Sequence, residues 1–328
     1  MSPVARSVLL GTLLGAVFLA IAGWTVDWPR LRVALTQADP VYAALIVPAV
    51  ALYLLTKAAR WSVLIRPIRT TRTAALFGAV CAGNAGNYVV PHFGELLRVM
   101  IAGDRLQVAR SALLGSIAVE RLFDFAALAL VAAALLVPGG RLSVETTGAM
   151  WILGLISVAL AAAILAFIVW TEPLIRVIEG RTRALPAKIR TFLVRILRNG
   201  APGLAMMRSP GLVIPVLTLS ILQWAFIGIS VAMSLRSIGI GASAAAVSAV
   251  VLLNVVGLIL PAAPGHVGTI QLSFAVALRE FGVPWETAIA ASIVYNTIVV
   301  GVVMTLGVPA ISRAGLRVGE VLRQRAPR

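Results

Sequence analysis

The sequence predicts an all-α polytopic membrane protein with about six full spans and two broken, re-entrant helical hairpins. Three observations predict it. Of 328 residues, 60% are hydrophobic and only 12% charged, with a mean hydropathy of +0.99; soluble domains carry about 25% charged residues. Six apolar runs are long enough to cross a hydrocarbon core roughly 30 Å thick. Two further apolar stretches carry Asn, Gly and Pro at matching spacing.

Taken in order, the first span is Val8–Trp24, preceded by Arg6. Its Ala20-Ile21-Ala22 imitates a secretory cleavage site, but the run is slightly long for a signal, so an uncleaved span is expected. Val41–Thr56 is the second, and both only just reach across. Ala74–Ile101 contains the first break. Ser111–Val137 and Met150–Trp170 follow, then Leu212–Leu235, the second broken stretch Ala244–Phe281, and Trp285–Val308.

Charge placement sets the orientation. With a cytoplasmic N-terminus, 21 of the 28 Lys and Arg residues fall on the cytoplasmic side, among them five between Lys57 and Arg72. Four fall opposite (Arg30, Arg32, Arg141 and Arg236), and Arg98, Arg121 and Arg279 lie within spans or broken stretches. This is a positive-inside distribution, so both termini are expected to be cytoplasmic, in a cell's inner membrane. The net charge of +16 is thereby explained without nucleic acid, and the expected partners are lipids with anionic headgroups.

The whole chain, 1–328, is expected to form one integral membrane domain, with repeat halves 1–170 and 211–310 joined by a basic cytoplasmic segment, 171–210. In that segment Ile189, Phe192, Leu193, Ile196 and Leu197 share a helical face, and Lys188, Arg190, Arg195 and Arg198 take other positions. Pro186 and Gly200 punctuate its ends. The pattern fits an interfacial helix over 186–199 lying on anionic headgroups, or a solvated linker helix that obeys the charge rule.

The breaks read GNAGNYVVPHFGELLR from Gly83 to Arg98 and NVVGLILPAAPGHVGTIQ from Asn254 to Gln271. Asn84 precedes Pro91, and Asn254 precedes Pro261, by the same seven residues. Gly and Pro at membrane depth free backbone groups that need protein or a water-filled cavity. Two such breaks, in corresponding halves and entered from opposite faces, fit an inverted repeat with a substrate site between them.

Pro91 ends one half-helix and His92–Arg98 begins another. Glu95 and Arg98 share a face three residues apart. Half-helix N-termini attract anions, and an Arg grips phosphate oxygens in bidentate fashion. Arg98 at the interface, snorkelling to water, is the alternative. Pro261, Pro264, Gly265 and Gly268 form the second tip, which carries His266, and Gln271 follows. His92 and His266 are candidate proton carriers or plain hydrogen-bonding groups at a helix break. Asn84, Asn87 and Asn254 are read as satisfying freed backbone.

Glu120, Arg121 and Asp124 sit in the apolar run Ser111–Val137. One mid-helix charge costs about 2.5–3.5 kcal/mol on insertion scales, so the trio must be paired or hydrated. It lines a substrate path or locks this helix to a neighbour through salt bridges. The lone Cys81 and two histidines argue against a disulfide or a zinc centre, and no metal or cofactor is expected. The sequence has no phosphate-loop, nucleophile-elbow or His-Glu-x-x-His motif.

These residues resemble the flippase-like membrane domain of the lysylphosphatidylglycerol synthase family. The pattern comprises Gly83, Asn84, Asn87, Pro91, Gly94, Glu95 and Arg98; then Glu120, Arg121 and Asp124; then Pro261, Pro264, Gly265, Gly268 and the Gly282-Val283-Pro284 turn. Where many relatives show Gly-Gly and a Glu, this chain has Gly265-His266 and Gln271. The resemblance implies a domain that moves a lipid between leaflets. The full synthases add a cytosolic domain for aminoacyl transfer, which this sequence lacks, so that activity does not carry over.

The expected function is translocation of a polar, phosphate-bearing lipid, with Arg98 and Arg121 on the phosphate. Glu95, Glu120 and Asp124 would orient the arginines or take an amine, and the two tips would gate the site. A transporter is expected rather than an enzyme. The rivals are a lipid-modifying transferase with Glu120 or Asp124 as general base, and a non-catalytic subunit docking a lipid-synthesis partner. A homo-oligomer is compatible with all three.

Overall fold

The computed structural model describes residues 27–90, 93–136, 210–259 and 264–314, with isolated positions 148, 155 and 159. The expected spans Val8–Trp24 and Met150–Trp170, the helix at 186–199, Pro91, His92 and Pro261 lie outside them.

Among the described residues the secondary structure is entirely helical. In chain order the helices are α1 (Trp28–Thr36), α2 (Pro40–Leu64), α3 (Thr73–Val89), α4 (Gly94–Leu106), α5 (Arg110–Leu136), α6 (Pro210–Ser237), α7 (Ala244–Ile259), α8 (Thr269–Arg279) and α9 (Trp285–Arg313). A 3-10 turn over Pro264–His266 stands between α7 and α8. Three helices are long and apolar enough to cross a membrane by length and composition: Pro40–Leu64, Gly211–Ser237 and Trp285–Arg313. The 27-residue α5 matches the expected run Ser111–Val137 and carries the charged trio.

The second span runs well beyond its expected end at Thr56. The apolar run stops there because Lys57 and Arg60 follow, yet α2 continues for eight residues to Leu64. Its buried stripe runs Ile46, Val50, Leu54, Lys57, Arg60, Trp61 and Leu64, whereas Val41, Leu45, Leu52 and Leu55 are exposed. Apolar side chains thus face outward and charged ones inward, the reverse of a soluble helix and the arrangement lipid favours. The α2 N-terminus is fixed by Pro40 in its first turn and by Asp39, whose carboxylate accepts from Val41 N at 2.8 Å. Asp39 N also donates to Ser237 O at 2.7 Å, which ties the end of α6 to the start of α2; these two helices share an extensive interface. The short α1, capped by Asp27, was not anticipated from the sequence.

Both expected breaks are helical hairpins. In the first, α3 and α4 fold back on each other: Leu76 and Val80 share a core with Val99 and Ala102. At 17 and 13 residues the arms extend about 25 and 20 Å, less than the roughly 30 Å hydrocarbon thickness. The arms touch at glycines. A methyl on Gly94 would run into the Gly83 carbonyl oxygen and lie 2.6 Å from the Asn87 side chain. In the second hairpin, α7 packs on α8, and Ser273 Oγ donates to Leu253 O at 3.1 Å. Its turn needs left-handed backbone at Gly265 (φ 75°), His266 (φ 53°) and Gly268 (φ 94°). Gly282, in the turn before α9, is also left-handed, at φ 71°.

The two hairpin tips meet. The Tyr88 ring, near the end of α3, packs edge-on to His266 with centroids 5.2 Å apart. Asn296 of α9 braces the second tip, donating from Nδ2 to Gly265 O at 3.0 Å. Helix α9 also backs the first hairpin, where Gly307 lies directly against Ala85 and Cys81.

Candidate functional site

The charged residues of α2, α4 and α5 form one continuous chain of ion pairs. It runs Glu95, Arg121, Asp124, Arg60, Glu120, Arg98. Arg121 pairs with Glu95 and, at 3.4 Å, with Asp124. Arg60 reaches Asp124 Oδ1 at 2.6 Å and Glu120 Oε1 at 2.9 Å. Arg98 holds both Glu120 oxygens, at 3.3 and 2.8 Å. Three carboxylates thereby balance three guanidinium groups. Arg60 and Glu120 have no exposed surface and Arg98 only 3%, so each charge depends on its partners.

Geometry on α5 explains the chain. Glu120 and Asp124 are one turn apart and face the same way, so a single planar guanidinium from α2 bridges both. Arg121, one position round the helix, turns toward α4 and Glu95 and stays 40% exposed. Helix α6 adds neutral partners: Ser220 Oγ accepts from Arg60 at 2.9 Å, and Gln223 Nε2 donates to Asp124 at 3.4 Å. The Trp61 indole stacks under Arg98, 4.4 Å from Cζ, and is itself fixed by a 3.0 Å bond to Ser116.

Above this chain lies a small cleft of about 10 Å³, lined by Lys57, Asn84, Asn87, Gly94, Glu95 and Arg98 with Gly83. Lys57 Nζ donates to Tyr53 Oη and Asn84 Oδ1, both at 3.3 Å. Asn84 donates in turn to Val80 O at 2.8 Å, and Asn87 Oδ1 accepts from Gly94 N at 2.7 Å, capping α4. The expected helix-terminal anion site is therefore partly filled from within.

Of the sequence-predicted residues, Asn84, Asn87, Gly94, Glu95, Arg98, Glu120, Arg121 and Asp124 come together here. One pairing differs from expectation: Glu95 holds Arg121, while Arg98 belongs to Glu120. Asn254, His266 and Gln271 sit on the second hairpin. Gln271 Oε1 accepts from Gly268 N at 2.7 Å, closing that tip. The Asn254 side-chain oxygen is buried without a hydrogen bond among the described residues.

Sequence reasoning missed Lys57, Arg60, Tyr53, Ser220 and Gln223. It assigned Lys57 and Arg60 to a cytoplasmic loop, whereas both are buried in α2. A signal existed. The run Val41–Thr56 barely spans a bilayer, and extending it by two turns places Lys57 and Arg60 on its buried stripe.

A family model described as "Lysylphosphatidylglycerol synthase TM region" matches residues 8–307. The chain belongs to the lysylphosphatidylglycerol synthase transmembrane-region family. The match runs through every helix described here and both hairpins. No curated protein and no solved structure matches the chain. Membership makes this a membrane-embedded protein related to lipid synthesis or translocation.

Proposed function

We propose that this protein moves a polar, phosphate-bearing lipid between the leaflets of the inner membrane. The observation that carries the reading is the six-residue ion-pair chain of α2, α4 and α5, set at the broken end of a hairpin in an otherwise apolar protein. Charge at membrane depth is costly and commonly lines a substrate path. The short arms fit re-entrant hairpins, and their tip-to-tip contact through Tyr88 and His266 fits entrance from opposite faces. The basic α2–α3 loop (Arg66, Arg69, Arg72) and the α4–α5 turn (Arg105, Arg110) flank the first hairpin. The positive-inside rule supports reading that side, and with it both termini, as cytoplasmic.

The cleft has room for one water-sized body, so a headgroup enters only when the hairpins part. Arg121, the exposed cation, makes first contact, and Glu95 releases it or takes an amine. The transferase alternative loses support: both Glu120 oxygens and both Asp124 oxygens already face guanidinium groups, which leaves neither as a free base.

The test is transfer of labelled lipid in proteoliposomes. Wild-type protein transfers it. Arg121→Ala slows transfer about tenfold or more, the consequence of losing a charge-assisted hydrogen bond of roughly 1.5–3 kcal/mol. Unchanged transfer in that variant contradicts the assignment.

A further inference from the structure

The ion-pair chain is neutral, three against three, but the site beside it is not. Lys57 is buried, with 7% of its surface exposed. Its ammonium group donates to two neutral oxygens, those of Tyr53 and Asn84 at 3.3 Å, and it forms no ion pair among the described residues. The nearest ring is the electron-rich face of Tyr53, 5.6 Å away. Neighbouring Arg98 Nε is likewise buried with no hydrogen bond. Each arginine of the cluster already has a carboxylate, and Asn87 occupies the first amide of α4. Among the described residues one positive charge therefore remains without a carboxylate of its own, and it borders the cleft.

From this we infer that Lys57 is the residue that binds the substrate's anionic oxygen, and that the site selects lipids whose headgroup carries a single net negative charge. The inference rests on the lipid-translocation reading and adds the headgroup class and its primary ligand. Leaving a cation buried without a counter-ion costs several kcal/mol; one negative charge removes that cost, while a zwitterion leaves the total at plus one. A phosphodiester oxygen replaces the Asn84 amide oxygen on Lys57, and Arg98 Nε supplies a second donor. Glu95, which also borders the cleft, stands against a second negative charge. The compact ammonium, with three rotatable donors, suits a point contact in a cleft too narrow for a guanidinium fork.

The experiment has two arms. In proteoliposomes, labelled phosphatidylglycerol is expected to move at least tenfold faster than labelled phosphatidylcholine. Lys57→Gln abolishes that preference. In detergent, dihexanoyl-phosphatidylglycerol is expected to raise the melting temperature of wild-type protein, while dihexanoyl-phosphatidylcholine and inorganic phosphate are not. A folded Lys57→Gln protein with an unchanged lipid preference overturns the inference. So does stabilisation by phosphate equal to that by the anionic lipid, which makes the ligand a free anion. Should wild-type protein move neither lipid, the transport reading fails, and the detergent arm alone then decides whether Lys57 binds an anionic headgroup. If Lys57→Gln does not fold, the wild-type detergent comparison decides in the same way, and equal shifts from the two lipids overturn it.

Discussion

Arg60 stands at the centre of the site with no exposed surface, and two carboxylates a helical turn apart share its guanidinium group. Removing it leaves Glu120 with Arg98, and Asp124 with Arg121 and the neutral Gln223 amide, both at 3.4 Å. Breaking a buried ion pair from one side costs about 3–5 kcal/mol, whereas replacing all its members with apolar groups often costs little. Arg60→Ala is therefore expected to destabilise the protein by about 3–5 kcal/mol in a detergent unfolding titration, and combined replacement of Arg60, Arg98, Glu120 and Asp124 by Met, Met, Gln and Asn, which leaves the Arg121–Glu95 pair intact, by less than that. Equal losses for the two would show that the charges do not act as a unit. The sequence made Glu120, Arg121 and Asp124 legible because charge within a long apolar run needs a reason. It hid Lys57 and Arg60 because charge at the end of a short apolar run looks like the membrane boundary.

The hairpins are where local chemistry was most readable. Asn, Gly and Pro at matched spacing marked both breaks, and each is a pair of short helical arms. What composition could not give was the closeness of the arms. Gly94 abuts the Gly83 carbonyl and receives the Asn87 cap, so Asn87 serves the backbone, as its position suggested. Gly94→Ala is expected to force α4 away from α3, displace Glu95 and Arg98, and lower lipid transfer more than tenfold. Gly78→Ala, on α3 with an added methyl 3.7 Å from Ala310, is the control and leaves transfer unchanged. Equal rates for both variants would show that tight closure of the first hairpin is not needed. Gln271 accepts from Gly268 N, so this polar side chain just after the glycine-rich tip satisfies the tip's own backbone.

At the scale of the molecule, a helical membrane protein was legible from composition, and charge held within one of its apolar helices from Glu120, Arg121 and Asp124. The short amphipathic α1 was not, because nine residues carry too little pattern to separate a helix from a loop. Nor could the sequence show that two breaks some 170 residues apart touch, since contact depends on how α9 holds both: Asn296 on one tip, Gly307 against the arm of the other. In the proposed transport the two tips act as the gate, and tying that contact shut tests the proposal most directly. In a Cys81→Ser background, Tyr88→Cys and His266→Cys give the chain's only two thiols, to be joined by a short cleavable cross-linker. Lipid transfer in proteoliposomes should stop when the tips are joined and return when the linker is cleaved; transfer at an unaltered rate through fully cross-linked protein would contradict it.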